Sequence, residues 1–336
     1  MGKSVVARFF RLPIFRISIF GESHGPAIGV TIDGVSAGMP LTVNDFLPDL
    51  KRRQSGAKGT TPRVEEDMPE IVSGWMNGHT TGAPLTILFR NSNIRSGDYD
   101  NIAKTPRPGH ADFAAHVKFG GHNDIRGGGH FSGRLTLALV AAGVVAKKMV
   151  EPIDIEAKVI SVGGSCEIEE TIDRVLEQGD SVGGIVECRA NGIPVGLGEP
   201  FFDSVESVIS HLAYAVPAIK GIEFGSGFAS ASMNGSRHND PILDATGRTA
   251  TNHAGGITGG LTNGNELVFR VAVKPTSSIG MPQNTHSIET DRVEELVING
   301  RHDACIALRV PVVMEAITAI ALVDFRLLAK FRIVSI

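Results

Sequence analysis

Five glycine-bearing segments carry most of the side chains able to do chemistry: GESHG at 21–25, TPRPGHADF at 105–113, RGGGHFSGRLT at 126–136, NHAGGITGGLTNG at 252–264 with VKPTSS at 273–278, and GRHDAC at 300–305. Each combines glycine with His, Arg, Ser, Asn or Asp. Together they offer acid–base groups, anion-binding donors and backbone amides, the ingredients of a site that moves protons around a charged substrate. Arginine gathers in or beside these loops, at Arg53, Arg107, Arg126, Arg134 and Arg301, with Lys58 close by. The chain is nonetheless acidic overall, at −4, so general nucleic-acid binding is disfavoured and a small polyanion is the expected ligand.

Two other chemistries are tested by the same segments. Gly21-Glu22-Ser23-His24-Gly25 fits G-x-S-x-G, but a nucleophile elbow needs a strand before the serine and a helix after it. Here Pro26 follows, and Ala27 to Gly34 reads as a second strand closed by Asp-Gly. A strand-loop-strand setting excludes Ser23 as an elbow nucleophile. Histidines are plentiful, yet no H-E-x-x-H motif or His pair on one helix face exists, and Cys166, Cys188 and Cys305 are far apart, so neither a metal nor a disulfide framework is expected. No G-x-x-x-x-G-K-[ST] phosphate loop occurs.

The elements that must carry these loops are mixed. Helices are expected at 43–53, 132–150, 170–177, 203–215 and 311–331, with Ser132 and Asp203 at N-cap positions. Strands are expected around Phe15 and Gly29, and at 84–90, 154–162, 184–189 and 266–274. Without strict βαβα alternation the class is α+β. The helices at 132–150 and 311–331 are apolar on most faces and need cover on two sides, which predicts helices layered between sheets. No linker cuts the chain, so residues 1–336 are expected to form a single domain. Glycine makes up 40 of 336 residues, well above the usual share of about 7%, as a loop-built site requires. The apolar segment 311–328 holds Glu315 and Asp324 and is too short to span a bilayer. The N-terminus lacks a clean signal sequence, so no membrane and a cytoplasmic location are expected.

Taken in order and spacing, FGESHGPAIGV, RPGHADF, RGGGHFSGRLT, AIKGIEFGSGF, NHAGGITGGLTNG, KPTSS and GRHDAC resemble chorismate synthase from about Phe15 to about Leu328. The resemblance implies a β-α-β sandwich with internal pseudo-symmetry, assembled as a homotetramer. It implies anti-1,4 elimination of phosphate from 5-enolpyruvylshikimate 3-phosphate to give chorismate, the last common step of the shikimate pathway to aromatic amino acids. That reaction depends on reduced FMN, with NADPH or a separate flavin reductase as the source of reduction. By the same resemblance His24 serves the departing phosphate as general acid, His110 protonates the reduced flavin, and Asp303 assists at flavin N5. Ser23, Arg53, Arg107, Arg134 and Arg301 grip the substrate. Flavin contacts map onto Ser132, Pro217, Ala218, Gly259, Lys274, Pro275, Thr276, Ser277, Ser278 and Arg301. Two stretches depart from the family: His130 to Thr136 replaces R-S-S-A-R-E-T, losing an Arg and a Glu, and Lys58-Gly59 stands where more arginine is usual.

Overall fold

The computed structural model describes residues 14–62, 65–92, 102, 104–298 and 302–332. Its first half runs β1 (Arg16–Gly21), β2 (Ala27–Asp33), α1 (Val43–Arg53), β3 (Glu70–Ser73), β4 (Leu85–Arg90), α2 (Asp112–Lys118) and α3 (Thr136–Val150). The second runs β5 (Asp154–Val162), α4 (Ile168–Gln178), β6 (Gly184–Asn191), α5 (Val205–Ala215), β7 (Ile219–Phe224), β8 (Leu267–Val273) and α6 (Pro311–Arg332). Short hairpins at 75–80, 257–262 and 283–296 decorate this frame.

Each half makes one antiparallel sheet, in the orders β1-β2-β4-β3 and β5-β6-β8-β7. In each, the first two strands are neighbours and the last strand of the half inserts beside the second, so the two halves share one pairing scheme. That shared scheme is the expected pseudo-symmetry, seen in topology without a sequence repeat. Register aligns the buried faces. Ile28, Val30 and Ile32 sit opposite Phe89, Ile87 and Leu85 in the first sheet, and Ala190, Cys188 and Val186 opposite Leu267, Phe269 and Val271 in the second. Period-two alternation therefore turns one face of each sheet toward the helices.

Helix α3 packs on β2 and β1, and α6 packs on β5 and β6. The two helices lie against each other between the sheets, as their all-round apolar character predicts. Their crossing is close because residue 143 is glycine: a Cβ there would sit 2.3 Å from the Ala316 Cβ and 2.6 Å from its Cα. The apolar core runs continuously from Phe15 to Phe325. Near the ends of the described chain, Asp324 on α6 accepts the backbone N–H groups of Ile14 (2.6 Å) and Phe15 (3.1 Å), tying β1 to the last helix. No helix among the described residues is long and apolar enough to cross a membrane.

Two N-terminal details differ from expectation. Ser132 caps only a 3-10 turn at 133–135, and the α-helix begins at Thr136. The cap of α5 is Ser204, whose hydroxyl accepts from Ser207 N, in place of Asp203, which belongs to a preceding 3-10 turn.

Candidate active site

A cavity of about 670 Å³ opens between the halves, within the usual range for substrate and cofactor sites of about 300–1,000 Å³. Its wall gathers Ser23, Arg53, Arg107, His110, Ser132, Arg134, Pro217, Ala218, Lys274, Pro275, Thr276, Ser277, Ser278 and Asp303, residues spread over most of the chain. Three expected residues stand apart. His24 lies just behind the wall, its ring against Gly127; Gly259 sits on the tight turn of the 257–262 hairpin, off this wall; and Arg301 lies outside the described residues.

Ser23 and His24 ride on the turn between β1 and β2, so a second strand follows the serine and no elbow forms. Ser23 N donates to Gly129 O at 3.1 Å, docking this turn on the 126–131 loop. Gly127 makes the docking possible: its φ is +60°, and a Cβ would stand 2.7 Å from Ser23 Oγ and 2.8 Å from the His24 ring. The segment 126–136 has shape because its glycines let it fold down onto Ser23 and His24.

The arginines are buried and differently employed. Arg53 closes α1 and donates to Gly133 O (2.9 Å) and Thr136 Oγ1 (3.2 Å). Its guanidinium holds its proton less firmly than an ordinary arginine, chiefly through burial and then through Arg309 and Arg134 beside it. An anionic ligand relieves that stress. Arg134 donates to Asn91 Oδ1 (2.7 Å) and Asp67 Oδ1 (3.0 Å), while its Nη2 is buried without a hydrogen-bond partner. Arg107 is committed within the protein: Nε and Nη2 fork onto Asp112 at 2.7 and 2.8 Å, and Nη1 donates to Ser278 Oγ at 3.1 Å.

Asp112 ties Arg107 to His110, whose Nδ1 lies 2.5 Å from Asp112 Oδ1. Burial alone would raise the Asp112 pKa, but hydrogen bonds from Arg107 and His110 outweigh it and hold the carboxyl well below the usual range. Asp303 pairs with Arg309 Nη1 at 3.4 Å and accepts from Thr61 N at 3.0 Å. Arg309 also donates to Arg53 O at 3.0 Å, so Asp303 and Arg53 are braced by one guanidinium.

Beside Arg107 and Gly109, Lys274 Nζ donates to Ser277 Oγ (2.8 Å) and Pro275 O (3.1 Å), and Lys274 N donates to Ala218 O (2.9 Å). Burial first, and the Lys220 charge second, lower the Lys274 pKa. Thr276 Oγ1 is buried without a partner. Two lysines and an unsatisfied hydroxyl fit a phosphate monoester, so the residues present suit a flavin mononucleotide.

The departing stretches are also placed. His130 and Phe131 line the cavity, with His130 Nδ1 2.9 Å from Gly21 O. Lys58 pairs with Asp173 at 2.6 Å, and a Cβ on Gly59 would stand 2.9 Å from Ile172 Cγ2, so these two positions lend the cavity no guanidinium. Sequence reasoning did not assign Asp67, Asp112, Lys220, His302 or Arg309, all on or behind the wall. Only Asp112 and His302 had a signal, as members of segments singled out for neighbours. Burial, with Arg107 nearby, lowers the His302 pKa. Among the described residues no group of three or more His, Cys, Asp or Glu is placed to hold a metal ion.

A doubled antiparallel sandwich around a cavity of buried arginines and acid–base groups makes a site suited to a small polyanion. Residues 15–327 match the family profile of chorismate synthase. A chorismate synthase of Chitinophaga pinensis is 63% identical over 318 residues, spanning 94% of this chain and 96% of that protein. Those of Dehalococcoides mccartyi and Korarchaeum cryptofilum are 43% and 42% identical, covering 94% and 96% of this chain and 96% and 97% of theirs. A crystal structure of chorismate synthase superposes with a TM-score of 0.73 at 27% identity, covering 96% of this chain and 94% of that one. The chain belongs to the chorismate synthase family.

Proposed function

We propose that this enzyme eliminates phosphate from 5-enolpyruvylshikimate 3-phosphate to give chorismate, in a cavity that also holds reduced FMN. The observation that supports it best is the convergence on one cavity of buried arginines, His110 and the Lys274–Ser278 segment, separated by up to about two thirds of the chain. Overall, a C–O bond to phosphate breaks, a ring hydrogen is lost and a second double bond forms, with no net oxidation.

The substrate's carboxylates and phosphate meet Arg134 Nη2 and the Arg53–Arg309 cluster, where an anion satisfies a buried donor and relieves crowded positive charge. Ser23 donates a hydrogen bond to substrate, and His24, a short step behind Gly127, gives a proton to the departing phosphate. Lys274, Thr276, Ser277 and Ser278 would hold the phosphate of FMN, with Lys220 adding charge, and Ser132 with the Pro217–Ala218 backbone would contact the rest of the cofactor. When bound, the reduced flavin supplies transient electron donation and a nitrogen able to take up the ring hydrogen. His110 exchanges a proton at Nε2, and Asp303, fixed by Arg309 and Thr61, assists from the same cavity. Gly259 and Arg301 complete the flavin set on the family pattern.

The chain works as one domain and assembles as a homotetramer in the cytoplasm, its flavin reduced by NADPH or by a separate reductase. The test is anaerobic. Purified enzyme, 5-enolpyruvylshikimate 3-phosphate and chemically reduced FMN should release chorismate and phosphate in equal amounts, and oxidised FMN should give neither. Binding of both ligands without product would overturn the reading and assign the altered His130–Leu135 loop to a protein that binds without turning over.

A further inference from the structure

We propose that Asp112 is the positioning residue for His110, holding a proton on Nδ1 so that Nε2 is the nitrogen that exchanges protons in the cavity. The inference rests on the reading of His110 given above and deepens it.

The Asp112 side chain is almost wholly buried and sits 2.5 Å from His110 Nδ1. It also receives Arg107 Nε and Nη2 through both oxygens and Arg107 N at 3.2 Å. An ionised carboxylate only accepts hydrogen bonds, so the hydrogen in the short contact belongs to Nδ1, and Nε2 of the neutral ring carries the lone pair. Arg107 does not compete for that lone pair. Its Nη2 is 3.1 Å from one ring nitrogen and 3.3 Å from the other, a near-equality that places it over the ring face and not on either nitrogen's in-plane direction. The Nε2–Cε1 edge lies over Gly128, where a Cβ would be only 3.2 Å from Nε2. Asp112 and Gly128 thus fix tautomer and tilt together.

The proton balance is simple. A proton enters or leaves at Nε2, the Nδ1 hydrogen stays in the short bond, and Asp112 remains ionised before and after. Arg107 keeps the carboxylate in place throughout, and through Ser278 it connects the pair to the adjoining 274–278 segment.

The test is a double-mutant cycle on the full-length enzyme with reduced FMN. Asp112→Asn should lower kcat by about 10-fold or more with a smaller change in KM, as when a metal-bound histidine loses its orienting partner. In a His110→Ala background the same substitution should lower kcat no more than about twofold further. If His110→Ala is impaired and Asp112→Asn adds its full loss on top, the positioning role is overturned while the reading of His110 stands. If His110→Ala turns over at the wild-type rate, that reading falls and this role with it. Should Asp112→Asn fail to fold, nitrogen NMR of histidine-labelled wild type, with the His110 signal assigned by its loss in His110→Gln, decides alone. A protonated Nδ1 supports the role and an unprotonated one refutes it.

Discussion

Glu315, on the buried helix α6, accepts both terminal nitrogens of Arg52, at 2.8 and 2.6 Å, from the far end of α1. Lys147 Nζ (2.8 Å) and Ala157 N (3.0 Å) complete the shell of a carboxylate that is 1% exposed. Arg52 and its neighbour Arg53 are about 100° apart around α1. One is latched to Glu315, while the other enters the cavity and donates to Gly133 O and Thr136 Oγ1. The last turn of α1 is therefore pinned from both sides.

Removing one partner of a buried ion cluster leaves the rest uncompensated. Glu315→Gln is expected to cost about 3 kcal/mol in urea unfolding, near the lower end for such a loss because Arg52 is half-exposed and can regain water. Substrate KM should rise as well, because Arg53 shares the turn. An unfolding midpoint equal to wild type would show that the latch adds no stability.

Acid should release the same cluster. Burial raises the Glu315 and Asp112 pKa values, but Arg52 with Lys147, and Arg107 with His110, outweigh it and hold both below ordinary carboxyls. A group whose folded pKa is depressed binds protons more readily in the unfolded chain, so stability rises with pH across this window. Its contribution is full above the unfolded value of about 4 and fades as pH falls toward the folded values. The urea midpoint should be level from pH 6 to 5 and drop below about pH 4, with a shallower drop in Glu315→Gln. Parallel pH profiles for the two proteins would remove Glu315 from the account.

The legible part of this molecule was the part that periodicity and glycine could mark. Strand 154–162 and helix 43–53 fall where apolar spacing put them, and the all-apolar helices α3 and α6 lie between the sheets because no other place covers both faces. Edge strand β3 was missed because most of its residues are exposed and it has no clean alternation. Helix α2 was read as loop, being only seven residues long and set among glycines. Long-range pairing was invisible for a different reason. Asp67 meets Arg134 across 67 residues of the first half and Arg309 reaches Arg53 O only once the halves close, and Asp67 itself has a φ of 51° in an irregular stretch without a motif. Gly259 came from family pattern alone, and the fold puts it on a hairpin turn off this cavity wall.

Arg134 offers a direct test of the anion site. With Nε and Nη1 spent on Asn91 and Asp67, Nη2 remains for a ligand, whereas a lysine's compact head cannot reproduce this planar three-way reach. Arg134→Lys should weaken substrate binding about tenfold or more, in line with a lost charge-assisted hydrogen bond of about 1.5–3 kcal/mol. Titration calorimetry measures it. Affinity within about twofold of wild type would mean that Nη2 does not touch the substrate.

Lys274 separates recognition of the flavin's phosphate from recognition of its ring. The lysine lies near Lys220, and burial and that neighbour both lower its pKa, so a bound phosphate favours its protonated form. Wild type should hold FMN more tightly than riboflavin, which lacks the phosphate, and the preference should shrink with added salt. It should also shrink as pH rises through the lowered lysine pKa, earlier than an ordinary lysine would allow. Lys274→Met should lose about tenfold in FMN affinity, measured by flavin fluorescence, and leave riboflavin binding unchanged, because the contacts to the ring lie elsewhere on the wall. Equal losses for both flavins would place Lys274 against the ring and send the phosphate to another part of the cavity.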